Sequence, residues 1–228
     1  NRGTHHNNPS ARSLMLLFGA FCQQFHSRGG TALSNLRDMQ LGGPDESDED
    51  DPSPYESETH IRVLEMQDRR PMGHEIHGIT EPSMHLVRAR MNDTVELSKD
   101  SRMAADSESI GPLSEIRHRD LSPAAIGELT EALLATISET PEKHLGFYNS
   151  AGPMSLKYHA FQLLPGIGNS KALQMVQLRG IAGWNDFAAV DGACGIDSAR
   201  LLAERYVKEM EDDAQTPRLL DILLRSEI

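Results

Sequence analysis

Aromatic residues, cysteine and long apolar segments are all scarce in this sequence. Phe, Trp and Tyr make up 5% of its 228 residues, which favours small modules over one large core. The two cysteines, Cys22 and Cys194, lie in segments of very different composition, so we expect reduced thiols and no disulfide framework. No segment approaches the roughly 18 apolar residues of a membrane helix. We therefore expect a cytoplasmic protein with no membrane partner.

Positive charge is scarce as well. The chain has 22 Lys and Arg against 34 Asp and Glu, a formal net charge of −12, and such a balance is not typical of a general polyanion binder. Residues 141–183 are the exception, because they carry one acid and four bases: Glu142, Lys143, Lys157, Lys171 and Arg179. Screening limits repulsion from distant acids to about 10 Å in ordinary salt, so this local segment can still attract an anion.

The acidic segment at residues 42–58 lacks the apolar residues that a core requires. Residues 42–58 read "GGPDESDEDDPSPYESE", a run of acids with three prolines. Such a segment cannot offset its ordering entropy, and residues 1–58 are predicted to be a disordered acidic tail. We expect residues 1–38 to be an over-extended start, with Met39 as a plausible true start.

Residues 59–120 are predicted to form a small β domain, either a barrel or a partial sheet. Aliphatic and β-branched residues alternate in "HIRVLEM" (60–66), "MHLVRAR" (84–90) and "DTVEL" (93–97). His74 and His77 lie three apart, so a strand would place them on opposite faces, and no metal site is predicted. No Walker-type loop or Gly-x-Ser-x-Gly motif is present, and we expect no cofactor and no catalytic residue.

From residue 121 onward the apolar spacing becomes helical. Residues 121–140 are predicted to hold a connecting helix, with Ser122 as N-cap, Pro123 in the first turn and an apolar stripe of Ile126, Leu129, Leu133 and Ile137. In residues 141–228 the spacing predicts helix, glycine hairpin and helix, twice over. The first hairpin is "PGIG" (165–168), preceded by a helical face of Met154, Tyr158, Phe161 and Leu164. The second, around Gly192 and Gly195, is degenerate.

The "PGIG" loop has the chemistry of a phosphate site. Pro165 ends one helix, and Gly166 and Gly168 allow a positive φ and close approach by another backbone. The next helix begins at once, with free N–H groups and the positive end of its dipole directed outward. The predicted phosphate-binding residues are Gly166, Ile167, Gly168, Asn169, Ser170 and Lys171, supported by Lys157 and Arg179. Contacts of this kind do not read bases.

The stretch "GFYNSAGPMSLKYHAFQLLPGIGNSK" (146–171) resembles an archaeal family numbered 655 among domains of unknown function, whose members carry a run close to "FFNxAGPITTRLHQLELLPGIGKK". The resemblance implies a predicted RNA-binding protein with an OB-like β domain ahead of tandem helix–hairpin–helix units. Where the family has two lysines after the hairpin, this chain has Asn169 and Ser170. That departure predicts weak affinity.

These observations lead to one expectation and two alternatives. We expect an α+β protein: a disordered acidic tail, a small OB-like β domain (59–120) and an all-α tandem helix–hairpin–helix domain (141–228). It would bind nucleic acid without catalysis, RNA more than DNA, with the β domain supplying single-strand contacts. One alternative is a protein–protein scaffold that uses a SAM-like helical module. The other is a DNA glycosylase with Asp191, or failing that Asp186, as the catalytic carboxylate.

Overall fold

The structure is a computed structural model that describes residues 54–71, 73–91 and 101–225. The expected strand at 93–97, and the expected tail as far as residue 53, lie outside the described residues. Cys194 is a buried free cysteine, as expected, whereas Cys22 lies outside this range.

The first half of the described chain is an antiparallel sheet of five strands. They are β1 (His60–Asp68), β2 (His74–Glu81), β3 (Leu86–Met91), β4 (Arg102–Ala104) and β5 (Ser114–Glu115), in the spatial order β4-β1-β2-β3-β5. The strands predicted at 60–66 and 84–90 correspond to β1 and β3. Among the described residues the outer strands β4 and β5 do not pair with each other, so the sheet is open.

The strand β2 has no counterpart among the predicted strands because Gly78 interrupts its alternation. A Cβ at this position would lie 2.5 Å from the carbonyl oxygen of Arg62 and 2.7 Å from a side-chain carbon of Ile61. The close approach coincides with an irregularity in the β1–β2 register between Val63 and Glu65. Glycine is therefore required here by packing between strands.

The two faces of the sheet bury different sets of residues. One face builds a core of its own from Ile61, Val63, Ile76, Val87, Ala89, Met91 and Ile110. On the other face Leu64, Ile79 and Leu86 join the core of the helical half. The helices thus cover only part of the second face, and its remainder is polar.

The second half contains six α-helices, two 3₁₀ turns and a short hairpin. The helices are α1 (Pro123–Glu139), α2 (Pro141–Ser150), α3 (Asn169–Arg179), α4 (Phe187–Cys194), α5 (Ser198–Glu211) and α6 (Leu219–Leu224). The 3₁₀ turns are His118–Asp120 and Ala160–Leu163, and the hairpin pairs β6 (Pro153–Ser155) with β7 (Tyr158–His159).

The predicted connecting helix is confirmed as α1. The Ser122 side chain accepts a hydrogen bond from the Ala125 N–H, and Pro123 is in the first turn. Three members of the predicted stripe, Leu129, Leu133 and Ile137, are fully buried. This helix could be predicted from the sequence because its cap, its proline and its apolar spacing all lie within one short segment.

The helix predicted around Met154–Leu164 is wrong. Residues 153–159 form a β-hairpin, and the helical element ahead of "PGIG" is the single 3₁₀ turn Ala160–Leu163. A reciprocal cap begins that turn: His159 Nδ1 accepts from the Phe161 N–H at 3.1 Å, and Gln162 Oε1 accepts from the His159 N–H at 2.9 Å. The apolar spacing instead marks a buried aromatic cluster in which Phe161 contacts Phe147 and Tyr148.

A buried ionic network joins the sheet to α1. The Arg62 guanidinium is 6% exposed and lies 3.0 Å from Glu81 Oε1 and 2.5 Å from Glu139 Oε1. The Thr136 hydroxyl contacts both Arg62 and Glu81. Arg102 Nε donates to the other Glu81 oxygen at 2.6 Å. Two buried charges of the sheet, Arg62 and Glu81, thus satisfy each other, and Thr136 and the partly exposed Glu139 connect them to α1.

Loss of the Arg62 side chain should destabilise the fold strongly. Arg62→Leu leaves the Glu81 carboxylate with less compensation in a buried site, and we expect a loss of about 3–5 kcal/mol in the free energy of unfolding. Urea unfolding measures it. Arg200→Leu is the control, because the Arg200–Glu131 pair is exposed and its loss should leave the midpoint almost unchanged. Equal losses in the two variants would contradict the prediction.

Stability should fall between pH 6.5 and pH 4 because of His144. Burial lowers the pKa of His144 from 6.5 to about 4, and its Nδ1 lies 3.0 Å from the Tyr206 hydroxyl. In this window the unfolded chain takes up a proton that the folded chain does not, so acid favours unfolding by roughly 3 kcal/mol in total. His144→Asn should flatten the dependence of the unfolding midpoint on pH in this range. An unchanged slope would refute the assignment.

Candidate nucleic-acid interface

The "PGIG" loop connects the 3₁₀ turn Ala160–Leu163 to α3, and its shape is fixed by the chain itself. Gly166 has φ +74°, a conformation that favours glycine. The Ile167 N–H donates to the Leu164 carbonyl at 3.2 Å, and the Ile167 side chain is buried in the core. The loop is therefore anchored from within, while Gly166 and Gly168 remain exposed.

The N-terminus of α3 has no side-chain cap. Gly168 is the N-cap residue and makes no side-chain hydrogen bond, in contrast to the caps Ser122 of α1, Asp186 of α4 and Asp197 of α5. The N–H groups of the first turn belong to Asn169, Ser170 and Lys171, of which the first two are exposed. The positive end of this helix dipole thus lies at the surface.

Open space lies in front of both hairpin glycines. A Cβ added to Gly166 or to Gly168 would meet no protein atom within 4 Å. At Gly166 the positive φ explains the glycine, but Gly168 has φ −86°, which any residue adopts. Neither backbone conformation nor internal packing requires glycine at 168. A side chain at 168 would extend into the open space in front of the helix N-terminus.

The hairpin forms one wall of an open depression of about 890 Å³. The opposite wall is the C-terminal part of α5 and the segment after it, contributing Arg205, Lys208, Glu211, Asp212 and Gln215. Arg205 is paired with the buried Glu209 at 2.7 Å. Lys208 is exposed and has no acidic partner within 4.0 Å among the described residues. Sequence reasoning missed Lys208, although its place near the end of an amphipathic helix indicates exposure.

Two of the three predicted basic residues are bound to backbone carbonyls. Lys171 Nζ donates to the Cys194 carbonyl at the end of α4. Arg179 donates to the Ala151 carbonyl at 2.6 Å, and its guanidinium lies 5.5 Å from the centre of the Phe161 ring. Burial lowers the pKa of Arg179. These cations hold α3 to its neighbours.

Lys157 is exposed, but it lies in the tight turn between β6 and β7 and not on a helix as predicted. Its backbone N–H contacts the Ser155 hydroxyl at 3.4 Å. No acidic side chain of the described chain lies within 4.0 Å of its ammonium. Of the three predicted basic residues, Lys157 alone is therefore exposed with no partner for its ammonium among the described residues.

The second hairpin differs from its predicted form. Gly192 lies inside α4, which continues through it because Val190 and Cys194 are buried on the same helix. The connection to α5 is Gly195–Asp197, and Gly195 ends α4 in the left-handed region at φ +63°. The placement of Gly192 in a hairpin is therefore wrong.

At the second hairpin, carboxylates accept hydrogen bonds from the backbone N–H groups. Asp197 Oδ1 accepts from the Arg200 N–H at 3.1 Å, and Asp191 Oδ1 accepts from the Ser198 N–H at 2.7 Å. The Ser198 hydroxyl also donates to Asp191. Asp186 caps α4 by accepting from the Ala189 N–H at 2.7 Å. The degenerate hairpin thus carries negative charge where the first hairpin has none.

The comparisons with known proteins identify relatives among archaea. A family model described as "Protein of unknown function (DUF655)" matches residues 62–219. The uncharacterized protein MJ0038 of Methanocaldococcus jannaschii is 24% identical over 98 residues, which are 43% of this chain and 45% of that protein. The chain thus matches less than half the length of this relative.

A solved structure shows the same fold. The crystal structure of Af1531 from Archaeoglobus fulgidus, assigned to the DUF655 family model, aligns with a TM-score of 0.65 at 18% identity, over 72% of this chain and 99% of that chain. Like Af1531, the chain combines an antiparallel sheet with several helices. None of its described helices has the length and apolar character needed to cross a bilayer. Since the family model matches well over half of the sequence, the chain belongs to the DUF655 family.

Proposed function

We propose that this protein binds the phosphate backbone of a nucleic acid through the hairpin at residues 164–171. The observation that carries the proposal is Gly168, the N-cap residue of α3, which provides no side-chain cap and leaves open space before the first-turn amides. A phosphate oxygen placed there would accept hydrogen bonds from the first-turn N–H groups of α3, at the positive end of the helix dipole. The role is binding without chemical turnover.

The site should be weak and indifferent to sequence. Backbone amides contact phosphate without touching base edges. The lysines expected after the hairpin are absent, and Lys171 donates to the Cys194 carbonyl. Amide N–H groups carry no net charge, so this contact adds little to the salt dependence of binding, which comes from phosphates that Lys and Arg neutralise. The preference for RNA over DNA rests on the family resemblance.

In this proposal the helical half is a tandem helix–hairpin–helix module with one binding hairpin, and the open sheet is an OB-like module. The 3₁₀ turn and α3 flank the first hairpin, and α4 and α5 flank the second. Because Asp197 and Asp191 occupy the second hairpin's amides, only the first is left to receive an anion.

A second candidate function is a protein-docking scaffold. Three apolar residues on and just after α3 are well exposed: Leu173 at 52%, Leu178 at 44% and Ile181 at 108%. The glycosylase alternative has less support, because Asp191 accepts hydrogen bonds from Ser198 and does not line the hairpin depression.

Gly168→Val tests the proposal without disturbing the fold. The added Cβ meets no protein atom within 4 Å and the position needs no unusual φ, so the loss of stability should be limited to the weaker N-cap preference of valine, about 1 kcal/mol. We expect affinity for single-stranded RNA to fall about tenfold, because a hydrogen bond to a charged group contributes about 1.5 kcal/mol. Fluorescence anisotropy across a salt series measures it.

The matched control for that experiment is Gly192→Val, at an exposed glycine in α4 that also has open space around it. It should bind RNA as the wild type does. The proposed phosphate site is wrong if Gly168→Val binds RNA as tightly as the wild type does, or if the wild type binds neither RNA nor DNA. Either result would favour the protein-docking scaffold.

Lys171→Met should affect stability more than binding. The Lys171 ammonium donates to the Cys194 carbonyl, and losing this charge-assisted bond should cost about 1 kcal/mol in the free energy of unfolding. The salt dependence of RNA binding should not change. A slope reduced by about 0.7 would show instead that Lys171 contacts a phosphate, as the sequence predicted.

A further inference from the structure

The sheet carries a second cationic surface, on the polar part of the face that the helices leave uncovered. Arg88 and Arg90 are exposed in β3, two residues apart and therefore on the same face. Arg117, which follows β5, lines a cleft of about 330 Å³ together with Arg69 and Arg88. A neighbouring depression of about 500 Å³ contains Arg88 and Arg90. We call Arg88, Arg90 and Arg117 the sheet arginines.

No described acidic side chain lies within 4.0 Å of any of the sheet arginines. This is unexpected for Arg90, because the register places Glu75 directly opposite it on β2. Opposite charges in such positions normally pair. His77 stands directly opposite Arg88.

The buried His77 explains why the acids do not pair with the arginines. Its ring is 1% exposed, with Nδ1 2.9 Å from Glu65 Oε1 and Nε2 3.0 Å from Glu75 Oε1. Each ring nitrogen thus lies within hydrogen-bond distance of one carboxylate, so His77 engages both acids at once. Both carboxylates are thereby held at His77, and Glu75 lines the depression of Arg88 and Arg90 without pairing with either.

Further contacts fix the same two carboxylates. The Ser122 hydroxyl donates to Glu65 Oε2 at 2.5 Å, and Arg69 donates to Glu75 Oε1 at 3.1 Å. Burial raises the pKa of each glutamate, but these hydrogen bonds and those from His77 outweigh it and leave both values lowered. Both carboxylates therefore stay ionised, and both are already hydrogen-bonded to residues other than the sheet arginines.

We propose that the sheet arginines form a second phosphate contact for the nucleic-acid strand held by the hairpin, and that His77 keeps them free by binding Glu65 and Glu75. This inference rests on the proposed function. Arginine suits the role because its planar guanidinium can bind a phosphate through two parallel hydrogen bonds.

The two contact regions adjoin at the C-terminal end of α5. Lys208 and Asp212 line the hairpin depression, while Met210 and Asp213 line a pocket that contains Arg117. Acids at this end of α5 repel a backbone that passes over it. A strand is therefore held at two separate places, and only an oligonucleotide long enough to reach both gains the full affinity.

The test uses the full chain and oligouridines from about 4 to about 30 nucleotides, a range chosen around the site sizes of single-strand binders. Arg88→Ala/Arg90→Ala should weaken binding of the long oligomers about 25-fold near 0.1 M salt, and should reduce the salt slope by about 1.4. The shortest oligomers should lose much less. The matched pair of single variants is Arg90→Ala and Arg200→Ala: they remove the same charge, and only the first should weaken binding.

A second series tests His77 without removing any arginine. His77→Leu releases Glu75, which can then pair with Arg90, so RNA affinity should fall. Adding Glu75→Gln to this variant removes the released carboxylate and should restore the affinity. Circular dichroism checks that both variants fold. Failure of Glu75→Gln to restore binding in a folded variant would overturn the role of His77.

The outcomes separate this inference from the proposed function. If Gly168→Val loses affinity and Arg88→Ala/Arg90→Ala does not, the hairpin function stands and the second contact is wrong. If neither variant differs from the wild type, both proposals fall. If Arg88→Ala/Arg90→Ala loses binding to polyglutamate but not to RNA, the surface serves an acidic protein and the inference is overturned.

Discussion

The relative position of the two halves of the protein depends on one buried guanidinium. Arg62 belongs to β1, and its charge is satisfied by Glu81 from β2 and Glu139 from α1. Because a buried charge must keep its partners, α1 cannot slide along the sheet without a large electrostatic cost. The helix α5 packs along α1 in turn, and its C-terminal end faces the hairpin. This ionic contact, together with the apolar core that the sheet and the helices share, thus holds the sheet in place relative to the hairpin.

Elements specified by neighbouring residues could be predicted from the sequence. The helix α1 is one, because Ser122, Pro123 and the apolar stripe act within a few turns. The strands β1 and β3 are others, because each alternates clearly. The failure came between residues 153 and 163. Helical spacing there reflects Phe161, which packs against an aromatic cluster from another helix, and periodicity alone does not distinguish the two origins.

The candidate site shows the same division. Proline and glycine specify the hairpin locally, so its position could be read directly. The contacts of Lys171 and Arg179 could not, since their partners are backbone carbonyls of Cys194, Tyr148 and Ala151. Every residue has a backbone carbonyl, so residue types do not indicate which carbonyl will accept a hydrogen bond. Nor does the sequence reveal that Glu75 binds His77 and not the arginine opposite it, because that choice depends on side-chain packing in three dimensions.

The contrast between the two hairpins has a directional consequence. The first presents unoccupied amide donors, and the second presents the Asp197 and Asp191 carboxylates in the equivalent role. If the first hairpin binds phosphate as we propose, a symmetric polyanion, such as a duplex with two equivalent strands, would meet attraction at one hairpin and repulsion at the other. Under that proposal the two hairpins are not interchangeable binding sites. An anionic ligand that touched both would then have only one favourable orientation.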